Sequence, residues 1–223
     1  MMRDLDQRRF RLLVFDWDGT LSDSTTVIAE AIQSACRDLG EPVPDDATAR
    51  YVIGLGLTDA LSLVAPGLPQ SRYSELTVLY RRHYLAREDD IPLFAGASAL
   101  LSELEAAGYL LAIATGKSRM GLSRVLARSG LARRFHATRC ADEGFPKPNP
   151  DMLLHLMDRL AVAPEETLMI GDTTHDLELA RNAGTSSLAV AYGAHDLEGL
   201  ARLAPLATVH SIAEMREWLA RNG

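Results

Sequence analysis

Leu12-Leu13-Val14-Phe15-Asp16-Trp17-Asp18-Gly19-Thr20-Leu21 joins an apolar run to two carboxylates, a glycine and a hydroxyl. Four apolar residues without alternation read as a parallel strand buried on both faces. Ending that strand in Asp16 and Asp18 sets two like charges where desolvation is costly. A bound cation would make the arrangement reasonable, so the chemistry is expected at this end of the strand.

Three further runs repeat the pattern. Leu110–Ala114 ends in Thr115-Gly116-Lys117, Thr167–Ile170 ends in Gly171-Asp172, and Leu188–Ala191 ends near Tyr192-Gly193. Amphipathic segments lie between them at Ala97–Ala107, Arg119–Ser129, Pro150–Leu160 and Asp176–Ala183, with Gly108, Gly130 and Gly184 as stops. Strands alternating with helices predict an α/β protein with a doubly wound parallel-sheet, Rossmann-like core. One stretch breaks the alternation. Ser24–Leu39 and Ser71–Arg87 carry helical spacing, and no strand reads between Asp23 and Ile91. Residues 23–91 are therefore expected to form a small helical cap domain, and residues 1–22 and 92–223 the core.

The chain has 223 residues, enough for one good core or for a core with a small second domain. A net charge of −7 argues against a nucleic-acid binder, which would carry a basic face. Cys36 and Cys140 form no CxxC pair or disulfide framework, which points to a reducing, cytoplasmic setting. The start, Met1 to Arg9, lacks the apolar core of a signal peptide, and no apolar run approaches membrane-spanning length. Nucleic acid and membrane are therefore not expected as partners, and a monomer or homodimer is expected.

Ligands of open parallel sheets sit at the carboxyl ends of the strands. Those ends carry Asp16, Asp18, Thr115, Lys117 and Asp172, and Lys147 lies in the loop Phe145-Pro146-Lys147-Pro148. A carboxylate is ionised at neutral pH and can attack phosphorus without a base. Repulsion opposes that attack by roughly 4 kcal/mol per pair of unit charges about 4 Å apart. A divalent ion reverses the sign, and Mg²⁺ prefers one or two carboxylates with phosphate and water. Asp16 and Asp172 would supply the carboxylates. Lys147 would neutralise the transferring group, Thr115 would bond a phosphoryl oxygen, and Asp18 would move protons.

Asp16-Trp17-Asp18-Gly19-Thr20, Thr115-Gly116-Lys117, Lys147-Pro148 and Gly171-Asp172-Thr173-Thr174-His175-Asp176 resemble the four ordered motifs of the haloacid dehalogenase-like hydrolases. Asp16 through Ser24 is similar to the opening of the phosphoglycolate phosphatase-like branch. The resemblance implies Asp16 as nucleophile and Asp18 as acid/base with its carbonyl on Mg²⁺. It implies Asp172 as a metal ligand, and Thr115, Gly116 and Lys147 as phosphate binders. Asp176, Thr20 and Thr173 would support the site, Asp176 through water or Lys147. Asp18 favours phosphate-ester chemistry over dehalogenation. The expected activity is a Mg²⁺-dependent phosphatase acting on a small, 2-phosphoglycolate-like monoester through an aspartyl-phosphate. A phosphosugar mutase, an inorganic pyrophosphatase and an inactive binding domain are the alternatives.

Plainer readings apply to some of these residues. Asp176 suits the first turn of a helix by charge alone, and Asp23 suits either an N-cap or support of the site. Lys117 reads as a solvent-facing lysine, and His175, like the other histidines, as a surface or loop residue. Trp17 and Cys140 read as packing. In the insertion, Gly54, Gly56 and Thr58 precede or open a helix expected from Thr58, placed to close over the organic part of a substrate. The glycines equally suit a plain turn between helices.

Overall fold

A computed structural model describes residues 9–223. The leader reading, and residues 1–8 of the expected core, lie outside the described residues. Six parallel strands form one sheet: β1 Leu12–Phe15, β2 Leu110–Thr115, β3 Ala137–Cys140, β4 Thr167–Gly171, β5 Ser186–Val190 and β6 Thr208–Val209. Their order is β3-β2-β1-β4-β5-β6. The chain runs outward from β1 through β2 to β3, then returns beside β1 as β4. The order therefore reverses between β1 and β4, where open sheets leave a crevice for ligands. Phe15 pairs with Ile113 on one side and Ile170 on the other, so Asp16 stands level with the ends of both neighbours.

Alternate residues of β1 feed two cores, as strand periodicity requires. Leu13 and Phe15 pack with Leu100, Leu122 and Met215 on one face. Leu12 and Val14 pack with Met152, Leu156 and Leu179 on the other. The covering helices are α5 Ala97–Ala106, α6 Arg119–Ser129, α7 Asp151–Leu160, α8 Thr174–Ala183, the short α9 Leu197–Ala201 and α10 Ile212–Asn222. Gly108, Gly130 and Gly184 all have positive φ, as stops require. Among the described residues no helix is long and apolar enough to cross a membrane. Trp17 and Cys140 are buried in the core, as packing residues should be.

Between β1 and α5 lie α1 Thr25–Leu39, α2 Asp46–Tyr51, α3 Leu57–Val64 and α4 Tyr73–Leu85. Their apolar faces make a separate cluster that includes Ile28, Ile32, Val52, Leu61 and Leu76. The chain leaves and re-enters side by side: Ser22 bridges to Leu93, and Asp23 N–H donates to the Pro92 carbonyl at 3.0 Å.

The structure corrects several expectations. β3, β6, α9 and α10 have no counterpart in the sequence reading. β5 runs from Ser186 to Val190, two residues earlier at its start. Helix α3 begins at Leu57 with Gly56 as its cap, and α8 at Thr174 rather than Asp176. Ser24 holds the cap position of α1 and Asp23 is exposed, so Asp23 neither caps the helix nor supports the site.

Candidate active site

The turn after β1 depends on Gly19. Its φ is +84°, and a Cβ there would lie 2.1 Å from Asp172 Oδ2. Only glycine meets both demands, so the Asp-x-Asp-Gly turn presses the end of β1 against the end of β4. Asp172 is fully buried and fixed from two sides. The Thr20 hydroxyl donates to Oδ1 and the Ala194 N–H to Oδ2, each at 2.8 Å. The Thr20 hydroxyl thus orients the Asp172 carboxylate.

Lys147 reaches the same place from the loop before α7 and is buried to 1% exposure. Its ammonium donates to Asp16 Oδ1 at 2.7 Å and to Asp176 Oδ1 at 2.6 Å. The other oxygen of Asp176 accepts the Thr173 N–H and hydroxyl at 3.0 and 2.7 Å, closing a capping box at the start of α8. Asp176 thus meets Lys147 with one oxygen and caps the start of α8 with the other. Asp16 Oδ2 is a buried oxygen without a hydrogen-bond partner.

One oxygen each from Asp16, Asp172 and Asp176 lies within 4.8 Å of the other two. Three carboxylates against one ammonium leave a formal deficit of two positive charges. The same deficit shows in proton affinity. Burial pushes the Asp16 carboxyl up to about 7, against the pull of Lys147. Burial, then Asp16 and Asp176, holds Asp172 well above the carboxylate range. Burial pulls the Lys147 ammonium downward, yet its two carboxylates hold it above the ordinary lysine value. A divalent cation beside the unpartnered Asp16 Oδ2 would meet the deficit, and all-oxygen donors suit Mg²⁺.

The Asp18 carboxylate faces away from that cluster. The Ser24 hydroxyl donates to its Oδ1 at 2.6 Å, and Lys117 Nζ lies 3.1 Å from the same oxygen. Lys117 is thus no solvent-facing lysine. Its ammonium also donates to the Tyr84 hydroxyl at 2.8 Å and sits 4.7 Å from that ring's centre. Burial opposes its charge, but Asp18 with Tyr84 and Tyr80 keeps it above the usual lysine value. One partner, Tyr84, comes from the insertion and the other, Asp18, from a different strand end, so nothing local to Lys117 signals either contact. Thr115 is fully buried, and its hydroxyl oxygen accepts the Lys117 N–H at 3.2 Å.

The insertion lies directly on this site. A Cβ at Gly116 would sit 2.6 Å from the carbonyl oxygens of both Gly54 and Leu55, so the loop before α3 rests on the loop after β2. Gly54 also approaches Thr173, and Gly56 approaches Pro146. Thr58 lines the cavity that remains between the two parts. His175 is buried, not a surface residue. It and His195 both donate from Nε2 to the Tyr51 carbonyl, at 2.8 and 2.9 Å. The Tyr51 ring stacks on His195 and meets His175 edge-on.

This arrangement, carboxylates and a lysine at the switch point of a parallel sheet under a helical insertion, defines a class. The haloacid dehalogenase-like hydrolase family matches residues 13–190, and the chain belongs to that family. Within it the chain falls in the phosphoglycolate phosphatase-like branch, among phosphoric monoester hydrolases. It is 34% identical to the probable phosphatase IndB of Dickeya dadantii over 92% of this chain and 91% of that protein. It is 32% identical to the tyrosine-protein kinase PtkA of Mycobacterium tuberculosis over 94% of this chain and 72% of that protein. It is 31% identical to the phosphoglycolate phosphatase of Vibrio vulnificus over 95% of this chain and 96% of that protein.

Proposed function

We propose that the chain is a Mg²⁺-dependent phosphatase of small phosphomonoesters that works through an aspartyl-phosphate on Asp16. The observation that carries this reading is the state of Asp16. Lys147 holds one oxygen, and the other is buried, unpartnered and beside two more carboxylates. Asp16, Asp172 and the Asp18 carbonyl would hold the ion, which supplies the positive charge that lets one anion attack another.

The remaining work falls to the chain's own groups. The Asp16 carboxylate forms a bond to phosphorus as the bond to the ester oxygen breaks. Asp18 gives its proton to that oxygen, so the product leaves as an alcohol. Asp18 then accepts a proton from water, whose oxygen attacks phosphorus and releases phosphate and free Asp16. Lys147 offsets charge on the moving group, and the Thr115 hydroxyl with the Gly116 backbone holds its oxygens. Residues 23–91 act as a cap over a core formed by the rest of the chain, and contact of Gly54 and Gly56 with core loops supports that division.

The phosphoglycolate phosphatase named among the relatives makes 2-phosphoglycolate the reference substrate. Phosphate release from a panel of phosphomonoesters and pyrophosphate, with and without Mg²⁺, tests the reading. Asp16→Asn should keep its melting behaviour and fall below about 10⁻⁴ of wild-type turnover. Activity within tenfold of wild type would exclude Asp16 as nucleophile.

A further inference from the structure

We propose that the alcohol released is an uncharged, ring-bearing group larger than glycolate, seated in the cavity between cap and core. This rests on the phosphatase reading above and names the half of the substrate that the reading leaves open.

The cavity measures about 540 Å³, inside the roughly 300–1,000 Å³ range of sites that enclose drug-sized ligands. It starts at Asp18, Gly116 and Lys117 and does not include Asp16, Thr115 or Lys147. It therefore begins where the phosphoryl group would end. A two-carbon acid would leave most of it to water. Its cap side is apolar, with Ile28, Ile32, Val52 and Leu61, and Tyr80 and Tyr84 stack face to face along it at 5.8 Å. Such walls favour a ring over a short acid.

Charge points the same way. Of the three cations that line the cavity, only Lys117 has a largely buried side chain, and it is already engaged, as is the exposed Arg124. Lys117 is held by Asp18 and Tyr84, and Arg124 donates to both oxygens of buried Glu88 at 3.0 and 3.2 Å. Arg81 borders the cavity from an exposed position. A carboxylate on the leaving group would be desolvated without a free buried cation to receive it. A hydroxyl or amide of an uncharged ring would meet Thr58.

The test compares kcat/KM for benzyl phosphate, uridine 5′-monophosphate and 2-phosphoglycolate with Mg²⁺. At least one ring-bearing ester should exceed 2-phosphoglycolate by about tenfold or more, within the range that pocket fit supplies. Thr77→Trp, which fills the cavity from α4, should remove that advantage and leave 2-phosphoglycolate within about twofold of wild type. Met120→Trp, at an exposed position on the other wall, is the second blocking variant should the first melt early. A smaller margin for both ring esters overturns the proposal, as does equal slowing of all three substrates by a folded blocking variant. Those outcomes leave the phosphatase reading standing. No phosphate release from any ester overturns both.

Discussion

The two ends of the proposed substrate path are built on opposite principles. At the phosphoryl end, Asp16, Lys147, Asp172 and Asp176 are buried, and all are charged or ionisable. Lys147 bonds Asp16 and Asp176 at 2.7 and 2.6 Å, and Thr20 and the Ala194 N–H hold Asp172 at 2.8 Å, all from strand ends, loops and the start of α8 in the core. At the alcohol end the wall that the helical insertion supplies is largely aliphatic and aromatic, facing a core wall that includes Met120 and Lys117. The insertion meets the core through backbone contacts at Gly54, Leu55 and Tyr51 and through side-chain contacts of Ser24 with Asp18, Tyr84 with Lys117 and Glu88 with Arg124. A buried charge cluster admits little change, because removing one member leaves the others unpaired. An apolar wall can be reshaped without disturbing the chemistry. Substitutions should therefore divide cleanly: at one end they slow every substrate, at the other they re-rank substrates.

The strongest attempt to break that division after Asp16 is Asp18→Asn. It should slow hydrolysis of all esters by about 10²–10⁴, and an effect confined to one substrate would erase the contrast. Lys147→Met should follow, with a loss of about 10²–10³ in kcat. It should also destabilise the fold by about 3–5 kcal/mol, since Asp16 and Asp176 lose their common partner. Urea titration and kinetics of the same samples separate the two effects. Lys117 sits where the two ends meet. Lys117→Met should lower kcat by about tenfold on every ester, because Asp18 then keeps only Ser24 to orient it. Tyr84→Phe, which removes only the hydroxyl on Lys117, should lower it by a smaller factor and alter KM for ring-bearing esters. A Lys117→Met enzyme that changes KM alone would move Lys117 wholly to the alcohol end.

The same contrast decides what is legible in the sequence. Asp16, Lys147 and Asp172 are legible because strand ends concentrate ligands, and a buried apolar run that stops at aspartate is costly unless something binds there. Strand β3 is not legible: it is an edge strand, and its Thr138 and Arg139 are half-buried rather than apolar. Strand β6, with two residues, is too short to show a pattern. Helix α10 does leave a signal, in Ser211 three residues before Glu214 and in Ile212, Met215 and Leu219 on one face. Lys117 escapes a local reading because nothing near Thr115-Gly116-Lys117 says where its ammonium lands. His175 escapes it because its partner is a backbone carbonyl of Tyr51, which carries no residue signature.

The smallest expected effect concerns that same carbonyl, where the histidines join cap to core. His195 accepts the Thr174 N–H on Nδ1 at 3.0 Å while Nε2 donates to Tyr51, so the ring works as a neutral bridge. Burial lowers the proton affinity of His195, as does neighbouring His175, while the Tyr51 carbonyl and Asp176 and Asp196 oppose the shift. Burial likewise lowers His175, against Tyr51 and Asp176 and with Lys147. The folded state therefore binds fewer protons than the unfolded chain. Their contribution is present above the ordinary histidine value of about 6.5 and is lost as pH falls through the lower folded values. Protonating His195 would put a hydrogen where Nδ1 accepts one from Thr174. His195→Ala should cost about 1 kcal/mol and raise amide exchange around Tyr51. It should raise KM for bulky esters a few-fold and leave kcat near wild type. The stability gap between wild type and His195→Ala should narrow between pH 7 and 5. A constant gap would mean that His195 only packs against Tyr51. A fall in kcat equal for all substrates would place this joint at the phosphoryl end instead.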